Sequence, residues 1–212
     1  MQLSPTLVLA VLTAGISLYA WSNPAFYDSW ILDPYRVKRH NDWYRFITSG
    51  FLHADFGHLL FNMLAFYSFS QTVEYIFLQL FGPTTGVLYF LLLYLGGIVV
   101  SDIPTYLRHR DDPGYRSLGA SGGVASVIFS AILFNPTAKI GIFPLPPQLG
   151  IPGFLFGFLY LAYSYYMGRR RGDNINHDAH FYGALYGVVL TFLLLPKVGG
   201  IFWQQVQNYI GN

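Results

Sequence analysis

Apolar residues along this chain run in six blocks: Leu7 to Trp21, Phe51 to Ser70, Thr84 to Val100, Ser121 to Phe134, Ile151 to Gly168 and His180 to Leu195. Only the second contains a charge, Asp55. An uncharged stretch approaching about 20 residues is long enough to cross a hydrocarbon core of roughly 30 Å, so each block is read as a membrane span. The first lacks the basic residues that open a signal peptide and is kept as a span of the mature chain. Polar or Pro/Gly-rich loops separate the blocks, among them SNPAFYDSWILDPYRVKRHNDWYR, SDIPTYLRHRDDPGYRSLGA and GRRRGDNINHDA. With no repeat or low-complexity tract, residues 1–212 read as a single domain: an all-α membrane protein, a bundle of six transmembrane helices.

Composition agrees with that solvent. The chain is 53% hydrophobic and only 10% charged, with a mean hydropathy of +0.40. So few charges do not coat a water-soluble globule of this size. The absence of cysteine excludes a disulfide framework and a thiolate metal site. A net charge of +2 gives no footing for nucleic acid. Neither a metal nor a cofactor is expected.

Successive spans alternate direction, so spans 2, 4 and 6 begin on one face, the loop face. Ser121 opens span 4 and His180 opens span 6; His58 and Asn62 lie early in span 2, four residues apart and on one helical face. Four polar residues thus converge on one end of the bundle. From Ser121 the fourth span rises only about 21 Å, short of a bilayer core, which puts its serine end below the membrane surface. Backbone at that depth is tolerated where it is buried in protein or lines a wet cavity.

Complementary chemistry follows. A serine hydroxyl is a weak nucleophile until a base takes its proton, and His180 is the candidate base. Gly183 and Gly187 follow His180 along one face and offer a smooth strip, matched on span 4 by Gly122, Gly123 and Ala125. Contact there would bring the hydroxyl to the imidazole. Asn62, with His58 and the Ser121 backbone N–H, would donate to an oxyanion. Each residue alone has a blander reading as a helix-packing or hydrogen-bonding group. Intramembrane polar groups are expensive, however, and these share a face, a depth and complementary roles.

At these residues the sequence resembles the rhomboid intramembrane serine proteases. HADFGHLLFNM looks like the family's second-helix motif at His53, His58 and Asn62. GASG looks like its GxSG motif, with Gly119, Ser121 and Gly122, and AHFYGALYG is similar to its AHxxGxxxG motif at His180, Gly183 and Gly187. WYRFITSGFLH resembles the family's Trp-Arg loop at Arg45, although Tyr44 precedes the arginine and the tryptophan is Trp43. Glu74 resembles a structural acid of relatives. Ala125 stands where some members carry an aromatic residue beneath the catalytic histidine. The resemblance implies a Ser121–His180 dyad with no acidic third member, hydrolysing peptide bonds in or near transmembrane helices of other membrane proteins. Asp178, His177 and the run Arg169 to Arg171 are read as loop-face polarity.

The resemblance also implies a prokaryotic cell membrane and a site opening away from the cytoplasm. Charge opposes the second expectation. The loop face carries Arg36, Lys38, Arg39, Arg45, Arg108, Arg110, Arg116 and Arg169 to Arg171, against Lys139 and Lys197 on the other; the positive-inside rule would turn the loop face to the cytoplasm. Two other functions fit the same chain. One is a non-catalytic rhomboid-like binder of membrane helices; the other is a small transporter whose polar cavity carries a solute.

Overall fold

The computed structural model describes residues 4–141, 149–170 and 175–211. Helix α1 (Pro5–Ser22) covers the first apolar block and starts on Pro5, where no N–H is needed. The stretch after it, expected as polar loop, folds into α2 (Pro24–Trp30), α3 (Pro34–His40), α4 (Arg45–Thr48) and a 3-10 turn at Ser49–Phe51. The reason is local: Asn23 and Asp33 each accept a backbone N–H of the first turn, and a proline follows each cap.

Helix α5 (Phe56–His109) holds both the second and third blocks. Gly82 breaks it at φ +77°, a conformation open to glycine, and Pro83 follows. The two arms fold back on each other, Phe66 packing 4.4 Å from Tyr94 and Phe81 4.8 Å from Tyr89. The expected boundaries 51–70 and 84–100 are therefore corrected to 56–81 and 83–109. Asp55 is not inside a span: it is the N-cap, accepting the His58 N–H at 2.8 Å. The arms outlast the apolar blocks because Glu74 and Asp102 are buried against partners instead of marking a loop. Glu74 accepts from the Ser4 hydroxyl and the Thr6 N–H, both at 2.9 Å, tying α1 to the near arm.

Helix α6 (Ser121–Phe134) coincides with the fourth block, α7 (Gly153–Arg170) begins two residues inside the fifth, and α8 (His177–Leu194) starts three residues before the sixth. Asn176 caps α8, so His177 and Asp178 belong to its first turn and not to a loop. An unexpected helix, α9 (Val198–Ile210), leaves α8 at 111°. Among the described residues, strand pairing is confined to a two-residue ladder, Lys139–Ile140 with Ile151–Pro152, and a single bridge between Leu32 and Ser117. Arg171 and Asp173 lie outside the described residues.

The core centres on α6. Every residue from Gly122 to Leu133 is buried, as a helix apolar all round must be. By length and composition α1 and α5 can cross a membrane, and the bent pair α8 and α9 passes as a third.

Candidate active site

Helix α6 begins on the serine itself. Ala120, its N-cap, has no side-chain acceptor, so the first-turn N–H groups from Ser121 onward stay unfilled by a cap. A helix N-terminus in this state favours a developing negative charge. Gly119 precedes it at φ +123°, and a Cβ there would lie 3.0 Å from His58 Cε1 and 3.1 Å from its Nε2. Glycine is required twice over, by the backbone angle and by the imidazole. The His58 Nδ1 accepts the Ala54 N–H at 3.4 Å, which assigns the ring proton to Nε2, the nitrogen facing the Gly119–Ser121 turn. Asn62 donates to the His58 carbonyl at 3.0 Å.

The α6–α8 seam is built of small residues. A Cβ on Gly183 would overlap the Gly122 backbone, and one on Gly187 would overlap the Ser126 carbonyl. Gly122 belongs to the seam as the sequence reading has it. Gly123 does not: it faces Tyr94 and Ile98 of the far arm of α5. The partner of Gly187 is Ser126, whose hydroxyl turns away to the Leu93 carbonyl at 2.8 Å and leaves its backbone bare.

Ser121, His180, His58 and Asn62 line one cavity of about 1080 Å³. It lies between the near arm of α5, through Phe61, Asn62 and Ala65, and α7, through Tyr160 and Met167; Arg108, Asp178 and Ile175 mark its loop-face end. The expected supporting residues stand behind it. His53 is fully buried; because the Ser17 hydroxyl donates to the Phe51 carbonyl at 2.8 Å, His53 Nδ1–H donates to Ser17 Oγ at 2.9 Å, fastening α1 to the entry of α5. Arg45 is 1% exposed and donates to the carbonyls of Asp28 at 2.9 Å and Ile31 at 2.7 Å, and to Asp42 at 3.1 Å. Burial works to raise the Asp42 pKa, but hydrogen bonds from Arg45 and Arg36 outweigh it and hold the carboxyl below its usual value. Next to Ile31, Leu32 exchanges both backbone hydrogen bonds with Ser117, each 3.0 Å, just before the serine turn. Arg45 thus holds the segment that pairs with the loop leading to Ser121.

Sequence reading missed Asn176. Its Oδ1 accepts the Ala179 N–H at 3.1 Å, and its Nδ2 donates to Thr105 Oγ1 at 3.0 Å and Ser117 Oγ at 3.1 Å. One side chain joins the start of α8 to the loop before Ser121. An asparagine ahead of an apolar run is the cap signal that would have found it. Asp178 pairs with Arg108 at the loop-face end of the cavity.

A family model described as "Rhomboid domain" matches residues 40–197, a stretch that holds all of these cavity-lining groups. The chain belongs to the rhomboid family. Rhomboid proteins are membrane-embedded and are in general intramembrane serine proteases. Among its relatives, "Putative rhomboid protease YdcA" of Bacillus subtilis is 30% identical over 74% of this chain and 70% of its own length. "RHOMBOID-like protein 12, mitochondrial" of Arabidopsis thaliana is 27% identical over 68% of this chain and 44% of its own length. "Presenilin-associated rhomboid-like protein A, mitochondrial" of Danio rerio is 30% identical over 67% of this chain; the match spans 35% of that protein's length.

Proposed function

We propose that this rhomboid protein is a serine endopeptidase that cuts peptide bonds in or near transmembrane segments of other membrane proteins. The observation that carries the reading is the shared cavity: a serine at the uncapped start of a buried helix, a histidine on the helix packed against it, and the donors Asn62 and His58 line one space. Ser121 Oγ passes its proton to His180 and bonds to the scissile carbonyl carbon. The oxyanion accepts from the Ser121 N–H, Asn62 Nδ2 and His58 Nε2–H. His180 then protonates the departing amine as the C–N bond breaks, leaving an acyl-serine. A water gives its proton to His180 and attacks the ester, and the proton returns to Ser121 as the acid leaves.

Six spans follow from this reading, formed by α1, the two arms of α5, α6, α7 and α8. The membrane is that of a prokaryotic cell and the site opens extracytoplasmically. Substrate helices enter the cavity between the near arm of α5 and α7, and they must unwind locally, because their own hydrogen bonds shield the backbone.

Labelling of the purified chain with a serine-directed fluorophosphonate tests the chemistry. Wild type is expected to label, while Ser121→Ala and His180→Ala neither label nor cleave. The double variant should be no worse than either single one, since the two groups act as a unit. Equal labelling of wild type and Ser121→Ala would leave a binder or transporter.

A further inference from the structure

Helix α7 buries little of itself: only Gly153, Gly157 and Ser164 are buried, and Phe158 and Leu159 point outward. It meets α8 through rings, Tyr165 lying 5.6 Å from Phe181 and two further pairs forming a ladder. Tyr160 stacks on His180, centroids 6.1 Å apart and planes at 25°, and Tyr163 meets His177 edge-on at 5.5 Å and 83°. Both pairs are spaced by three residues along their helices, in opposite chain directions, so one face of α7 reads one face of α8. Tyr160 is itself wedged, with Phe129 of α6 at 5.6 Å and Phe156 at 5.7 Å. Gly157, one turn earlier, faces the same Phe129, and a Cβ there would be in ordinary contact with its ring at 3.4 Å. Ala125 of α6 lines the same cavity but carries no ring.

We propose that Tyr160 is a positioning residue for His180: its ring is the platform that holds the imidazole at the angle from which it serves Ser121. An aromatic face at this separation is within the range where ring pairs attract and select an orientation. His177 also meets His180, edge-on at 5.9 Å and 78°. Rings from two helices therefore touch the imidazole. The platform comes from α7, so displacement of α7 by a bound substrate helix bears directly on the base. The inference rests on the reading of His180 as that base.

The test compares fluorophosphonate labelling rate, kcat, KM and thermal unfolding of the full chain for wild type, Tyr160→Phe, Tyr160→Leu and the control Phe158→Leu on the exposed face of the same helix. Tyr160→Phe and Phe158→Leu should stay within about threefold of wild type. Tyr160→Leu should lose on the order of 10- to 100-fold in kcat and labelling rate with KM unchanged, the scale of a small misplacement of a reacting group. Should the leucine variant fail to fold, Tyr160→Met offers a flexible apolar side chain that adapts to the gap without a ring plane, and the same loss is expected. Wild-type rates in Tyr160→Leu or Tyr160→Met overturn the proposal, as does an equal loss in Tyr160→Phe, which would assign the effect to the hydroxyl. A loss confined to KM would make Tyr160 a substrate contact. An unlabelled wild type would instead sink the reading of Ser121 as a nucleophile, a separate result.

Discussion

At the scale of single residues, the site is shaped by which atoms are left without a local partner. The first-turn N–H groups of α6 have no side-chain cap, and His58 is held so that its protonated nitrogen faces the serine turn. Asn62 spends one amide hydrogen on the His58 carbonyl and keeps the other. Asn62→Ala should therefore lower kcat by about 10²- to 10³-fold with little change in unfolding temperature, as loss of one oxyanion donor does elsewhere. A kcat equal to wild type would make it a packing residue. Gly119→Ala meets two obstacles at once, the positive φ and the His58 ring. Backbone strain of this kind costs on the order of 1–3 kcal/mol. The expected result is a lower unfolding temperature together with loss of fluorophosphonate labelling; a variant that labels normally would show that the turn has room to relax.

At the scale of elements, the site depends on how closely α6 and α8 approach. Gly183 on Gly122 and Gly187 on Ser126 remove the side chains that would separate the two backbones. Gly183→Val or Gly187→Val should push the helices apart, with a rate loss on the order of 10²-fold for a shift near 1 Å. Gly183→Ala should fall between wild type and valine in both kcat and unfolding temperature. Wild-type activity in both valine variants would mean that the seam does not set the distance between Ser121 and His180. A second fastening is the Arg45 cluster, which fixes the carbonyl beside the Leu32–Ser117 bridge. Asn176 fixes the other side of the same loop. The serine turn is thus clamped from two elements remote in sequence.

At the scale of the molecule, the basic bias of the loop face has a structural counterpart. Arg36 pairs with Asp42, Lys38 with Asp111, Arg108 with Asp178, and Arg116 with Asp28 and Asp33. The folded face is a lattice of ion pairs, although the positive-inside rule weighs the cations and counts acids little. The side is settled by labelling. With no native cysteine, a single cysteine at the exposed Asp112 should react with an impermeant maleimide outside intact cells, and one at Ala138 only after the membrane is broken. The reverse pattern would place the dyad in the cytoplasm and overturn extracytoplasmic cleavage.

The sequence by itself determined the solvent, the apolar helical segments and the polar residues that gather at one end, because an apolar run and a motif are local properties of the chain. It placed α6 at Ser121 because glycine, alanine and serine end the loop where the apolar run begins. The caps at Asn23, Asp33 and Asp55 are local contacts as well, each side chain accepting the N–H three residues on. Only the tertiary structure decided that Glu74 and Asp102 are buried inside longer helices. It alone gave Gly187 to Ser126, Gly123 to α5, Asn176 to the serine loop and Tyr160 to His180. Those assignments depend on which faces meet when helices distant in sequence pack, and a helix's own sequence shows its polar positions without naming the surface that will satisfy them.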